Sequence, residues 1–183
     1  MEIRPLKLAG TYAITLKPIA DERGYFMMTY HRETFKRHGL VTHWVQENQS
    51  LSERGVLRGL HFQMPPYAET KLVRAIHGAI LDVFVDIRTG SPTYGQWDSL
   101  ELSDQNHTMA YIPRGFAHGF CVLSSAALVA YKVDAYYAPQ AVAGLQWDDP
   151  AIGIRWPVDA PILSEKDRAL PPFARFDSPF SME

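Results

Sequence analysis

The sequence predicts an all-β protein, a jelly-roll barrel with a few short helices in its N- and C-terminal parts. Three observations carry this. The 13 prolines and 12 glycines are scattered along all 183 residues, so regular segments must be short. The clearest apolar pattern has period two: from Ile80 to Ile87, Leu81, Val83, Val85 and Ile87 form one face, with Asp82, Phe84 and Asp86 on the other. Helical periodicity is sparse, whereas aromatic residues, which favour strands, make up 12% of the chain.

Taken in order, Arg32–His38 fits one or two helical turns ended by Gly39. Val56–Gln63 reads as a strand. Lys71–Ile76 is the partner of Ile80–Ile87 across a turn near His77-Gly78. Gln96–Leu102, Met109–Ile112, Gly119–Leu123 and Leu128–Val133 continue the series, with Pro92, Pro113-Arg114-Gly115 and Pro139 at turns. Ser164 begins a short helix as its cap, with Asp167 three residues later, and Pro171-Pro172 stops it. With no repeat or low-complexity linker, one domain spanning residues 1–183 is expected, its C-terminal tail running from about 164 to 183.

Composition narrows the function. Eighteen Lys and Arg against 20 Asp and Glu give a net charge of −2, without the basic excess that nucleic acid or an acidic membrane surface favours. The single cysteine, Cys121, cannot form an internal disulfide and reads as buried packing. The apolar run AILDVFV is interrupted by Asp82, and no stretch approaches the ~20 residues needed to span a bilayer. The N-terminus has no signal-like apolar region, so a cytoplasmic location is expected.

Two spacings carry chemistry. Gly55-Val-Leu-Arg-Gly-Leu-His61 is Gly-x5-His, and Pro113-Arg-Gly-Phe-Ala-His118 is Pro-x-Gly-x-x-His. In this order they resemble the two motifs of the cupin superfamily, jelly rolls with a site in the barrel mouth. A stable metal centre there needs about three protein ligands around an open position. Here His61 is followed by Phe62 and Gln63, so the second ligand histidine is missing, and Glu69 alone stands where a carboxylate belongs. No metal is expected.

The alternative is proton chemistry. His61 suits a base near neutral pH. Asp167 could orient it and stabilise its cation. Tyr131 could donate a phenolic proton, and Lys71 could hold an enolate oxygen. Each also has a structural reading. His61 could be a strand-face histidine, His118 a turn cap, Asp167 a helix-start residue, Tyr131 strand packing and Lys71 an exposed strand lysine. Strict alternation puts Arg58 on the face opposite His61, unless Gly59 marks a bulge that re-aims it.

The chain resembles the dTDP-4-dehydrorhamnose 3,5-epimerase family from about Arg23 to Asp167. The resemblance rests on Asp21-Glu-Arg-Gly24, Gln46-Glu-Asn48, the two histidine motifs, Lys71-Leu-Val-Arg74, Asp86-Ile-Arg-Thr-Gly-Ser-Pro-Thr93, Tyr131-Lys132, Tyr136-Tyr137, Trp147-Asp-Asp-Pro150 and Ser164-Glu-Lys-Asp167. It implies epimerisation of a dTDP-4-keto-6-deoxyhexose at C3 and C5, with no metal and no organic cofactor. His61 would be the base paired with Asp167, Tyr131 the proton donor, and Lys71 the lysine near the ketone. Arg58 and His118 would contact sugar or phosphate, Arg23, Gln46, Asn48 and Lys166 the nucleotide side, and Tyr137 would stack on the base. A homodimer that exchanges N-terminal strands is also implied. The chain departs from the family pattern at two substrate-contacting carboxylates, replaced here by Met28 and Val142. The rival readings are a mono-epimerase at C3 or C5, a metal-dependent cupin enzyme and a non-catalytic sugar-nucleotide binding module.

Overall fold

The computed structural model describes residues 1–182. Two antiparallel sheets sandwich the main core. One has the order β1 (Glu2–Pro5), β2 (Tyr12–Thr15), β10 (Thr108–Ile112), β7 (Lys71–His77), β12 (Ala126–Val133) and β5 (Gln46–Glu53). The other has the order β13 (Val142–Gly144), β6 (Leu57–Gln63), β11 (Phe116–Val122), β8 (Ala79–Asp86) and β9 (Trp97–Ser103). Neighbours distant in sequence lie side by side, and all strand pairs are antiparallel, as a jelly roll requires. A separate hairpin, β3 (Ile19–Asp21) with β4 (Gly24–Phe26), stands apart from both sheets. The helices are short: α1 (Arg32–Arg37) and α2 (Glu165–Arg168), with single 3-10 turns at Pro139–Ala141 and Phe173–Arg175.

Three apolar clusters hold the fold. The first fills the space between the sheets, with Val73, Ile80, Phe84, Ile112, Phe120 and Val129. The second covers the outer face of the five-stranded sheet, where the C-terminal third of the chain brings Leu145, Ile152, Trp156 and Phe180 onto Phe62, Val85 and Ile87. The third lies on the outer face of the six-stranded sheet, where Phe35 of α1 packs with Ile14, Leu72 and Met109.

This layering explains the two faces of β8. Its Asp82 face is not a solvent face. Ile80 and Phe84 enter the core between the sheets and Asp82 and Asp86 are fully buried, while Val85 and Ile87 on the other face pack beneath the C-terminal segment. A central strand covered on both sides loses the polar-out alternation of a half-exposed one. Asp86 is buried with its bonds satisfied by Arg88, Ser91 and Thr93.

Three expectations change. Lys71–His77 is not the partner of Ala79–Asp86: the turn at Gly78 carries the chain from one sheet to the other, β7 pairing with β10 and β12 and β8 with β11 and β9. The strand expected from Gly119 begins at Phe116, so His118 is a buried strand residue and not a turn cap. An unpredicted strand, β5, runs through Gln46-Glu-Asn-Gln-Ser-Leu-Ser-Glu53. Its alternation is there, but the inward positions Gln46, Asn48 and Ser50 are polar because they line a polar cavity, and Ser52 because it bonds Arg58 there. Cys121 is buried, as read from its setting.

The suspected bulge at Gly59 exists. On β11, His118 pairs with His61 and Phe120 with Arg58, so one residue of β11 opposes two of β6, Gly59 and Leu60. The extra residue turns Arg58 onto the same cavity as His61. Only glycine suits position 59: its φ is +141°, and a Cβ there would lie 2.5 Å from the Gly119 Cα.

Candidate active site

The barrel mouth holds a cavity of about 270 Å³ lined by Arg58, His61, Lys71, His118, Tyr131 and Asp167, among others. A second hollow of about 170 Å³ shares His61, Lys71, Tyr131 and Lys166 with it and adds Gln46, Asn48, Tyr137 and Val142. The two form one elongated site. Four of its walls are β5, β6, β7 and β12, and α2 closes one side.

His61 projects from β6, and its Nε2 lies 2.6 Å from Asp167 Oδ1. Asp167 is buried, while the His61 side chain keeps 33% of its surface accessible, on the cavity side. With Nε2 engaged, Nδ1 is the ring nitrogen left for a substrate. Helix α2 exists to present this carboxylate: Ser164 caps it by accepting from the Asp167 N–H at 3.1 Å, as the sequence predicts. Burial pushes the Asp167 carboxyl up, but the His61 hydrogen bond and charge, with bonds from Ser164 and Gly59, hold it below the usual carboxylate range. Asp167 therefore stays ionised and can balance an imidazolium at His61.

Tyr131 projects from β12 into the same space. Burial raises its phenol above the ordinary value. Nearby Glu69 pushes the same way, while Arg58 and an Asn48 hydrogen bond oppose it. The phenol thus keeps its proton at neutral pH. Lys71 starts β7 and is buried, not the exposed strand lysine of its structural reading; its Nζ is 3.3 Å from Glu69 Oε1. Arg58 is steadied by Ser52, which accepts from its Nε at 3.0 Å. His118 Nε2 lies 2.7 Å from the fully buried Asp82 Oδ1. Asp82, Ser52 and Glu69 thus support site residues, although the sequence reading gave none of them this part. The only signal for Asp82 was a carboxylate inside an otherwise apolar strand.

The polypeptide brings ten of the eleven expected site residues to one cavity; the exception is Arg23. It sits in the β3–β4 hairpin, its side chain 83% exposed and bonded to Asp21 at 2.5 Å, away from the barrel mouth. Three fixed cations, Arg58, Lys71 and Lys166, outnumber the lining carboxylates Glu69 and Asp167, which favours an anionic ligand. Among the described residues, no three His, Cys, Asp or Glu side chains are arranged to hold a metal ion. An imidazole bonded to a buried carboxylate, a phenol and a buried lysine converge instead, an arrangement that can move protons at carbon beside a carbonyl.

The sequence profile of the dTDP-4-dehydrorhamnose 3,5-epimerases matches residues 5–175. The chain belongs to this epimerase family. It is 50% identical over 172 residues to the dTDP-4-dehydrorhamnose 3,5-epimerase of Methanothermobacter thermautotrophicus, covering 91% of this chain and 92% of that protein. The crystal structure of a dTDP-6-deoxy-D-glucose-3,5-epimerase from Legionella pneumophila, in complex with dTDP-4-keto-L-rhamnose, superposes with a TM-score of 0.95. It is 38% identical and spans 100% of this chain and 99% of that one. A dTDP-4-dehydrorhamnose 3-epimerase from Streptomyces niveus is 40% identical, over 92% of this chain and 82% of that protein. An enzyme of epimerase type on a cupin-like jelly roll is therefore established. No helix among the described residues is long and apolar enough to cross a membrane.

Proposed function

We propose that the chain epimerises a dTDP-4-keto-6-deoxyhexose at C3 and C5, as in the formation of dTDP-L-rhamnose-type sugars, with its own side chains as the only acid and base. The C4 ketone acidifies the hydrogens on C3 and C5. His61 removes one through Nδ1, and Asp167 balances the imidazolium that results. Lys71 neutralises the enolate oxygen in a site shielded from bulk water. Tyr131 returns a proton to the opposite face, inverting the carbon. Acid–base assistance of this kind contributes ~10²–10⁴-fold. Arg58 and Lys166 carry charge toward sugar and diphosphate, His118 offers its ring to the sugar or phosphate, and Gln46, Asn48 and Tyr137 frame the nucleotide end. The observation that carries the reading is the 2.6 Å His61–Asp167 bond in a cavity shared with Lys71 and Tyr131. A cytoplasmic location is part of the same reading.

A homodimer belongs to the proposal. Ile19, Tyr25 and Phe26 of the β3–β4 hairpin are 72%, 59% and 72% exposed, an unusual cost for large apolar side chains unless a second copy covers them. Arg23 rides on the same hairpin and would reach that copy's nucleotide end. A mono-epimerase is the second reading, supported by Val142 at the nucleotide end in place of a family carboxylate. The deciding experiment follows hydrogen exchange by NMR in heavy water. His61→Asn is expected to abolish incorporation of deuterium beside the ketone; wild-type incorporation in that variant would remove His61 from the mechanism.

A further inference from the structure

The loop after β12 is tied to Asn48, across the strands from the proposed acid, by a chain of amides whose direction is fixed. The Tyr137 backbone N–H can only donate, and it donates to Gln46 Oε1 at 3.1 Å. Gln46 must then turn its Nε2 outward, and it donates to Asn48 Oδ1 at 2.8 Å. With its oxygen occupied, Asn48 has its NH₂ left to offer. Asn48 stands directly opposite Tyr131 in the β12–β5 register, and both line the nucleotide-side hollow.

We propose that Asn48 is a positioning residue for Tyr131: driven by Gln46 and the Tyr137 backbone, it donates to the phenol oxygen and so reserves the phenol proton for the substrate carbon. The proposal rests on the epimerase reading and deepens it. A phenol whose oxygen already accepts from Asn48 can only point its O–H elsewhere, and elsewhere is the cavity. After the proton has gone to carbon, the Asn48 N–H stabilises the phenolate left behind. The relay also gives the nucleotide end a physical link to the reacting end. A base stacked on Tyr137 would steady the loop, the loop holds Gln46, and Gln46 sets the direction of Asn48. The other charged or titratable groups around Tyr131 are Arg58 and His61 from β6, Glu69 and Lys71 at β7, His118 from β11, Tyr137 and, from α2, Lys166 and Asp167.

Two near-isosteric variants test this. In Asn48→Asp the donor becomes an acceptor. In Gln46→Glu the Tyr137 bond survives, but Asn48 must turn its NH₂ back to the new carboxylate and present its oxygen to Tyr131. Both are expected to capture the phenol proton and impair inversion at least ~10-fold, part of the ~10²–10⁴ that a general acid supplies. Proton removal by His61 continues, so deuterium returned to carbon without inversion rises relative to inverted product in heavy water. The Tyr131 13Cζ resonance, assigned by its loss in Tyr131→Phe, is expected to titrate at higher pH in both folded variants, and this needs no substrate. Wild-type inversion ratios together with an unchanged Tyr131 titration in either folded variant would overturn the relay. Failure of the wild type to exchange any sugar hydrogen would instead contradict the epimerase reading, and the Tyr131 titration alone would then decide the relay.

Discussion

A histidine serves as a carbon base when its second nitrogen is held and its cation is welcome, and Asp167 supplies both conditions to His61 through one 2.6 Å bond. The protonation states follow from the surroundings. The depressed Asp167 carboxyl contributes to stability above its unfolded value of ~3.9, and that contribution is lost as pH falls through the lower folded value. Tyr131 shifts the other way, so its proton stays in place until the solution is more alkaline than ~10. Urea unfolding of wild type and Asp167→Asn is therefore expected to show a stability gap that is full near pH 6 and shrinks below pH ~4. A gap independent of pH would contradict the assigned ionisation. Most of these residues were legible because their flanking motifs are specific. Asp82 was not, because a buried carboxylate in an apolar strand looks like a solvent-facing one until the layer covering it is known.

Elements decide whether those residues can meet. The bulge in β6 is the clearest case: without Gly59, strict alternation would send Arg58 and His61 to opposite faces. Gly59→Ala would place a methyl 2.5 Å from the Gly119 Cα at a φ of +141°. It is expected to cost ~1–3 kcal/mol of stability, as strained backbone positions do, and to lower kcat by separating Arg58 from His61. Wild-type unfolding and turnover would show that the bulge is dispensable. The apolar strands β6, β7, β8, β10 and β12 could be read within a residue or two from period-two patterns and turn residues. Strand β5 could not, since its inward residues are polar to suit the cavity and its outward ones face solvent. The same polarity that hid the strand gives the site its amides.

At the scale of the whole molecule, the barrel is complete in one chain, and the proposed second copy would complete the site. Ten expected site residues converge, while Arg23 remains on a hairpin with three exposed large apolar side chains. The sequence could suggest exchange of this segment only through its family resemblance, because an isolated hairpin has the same local pattern whichever copy it joins. Mixing Arg23→Ala and His61→Asn subunits provides the test. If Arg23 serves the other copy, a mixed dimer regains one intact site, and activity rises above that of either parent. No gain on mixing would keep Arg23 within its own chain.

The central claim is that this cavity moves protons at both carbons flanking the ketone. NMR of the wild-type enzyme with dTDP-4-keto-6-deoxyglucose in heavy water tests it most directly. Deuterium at C3 and at C5, with both centres inverted, is the predicted result; hydrogen retained at either carbon would contradict it.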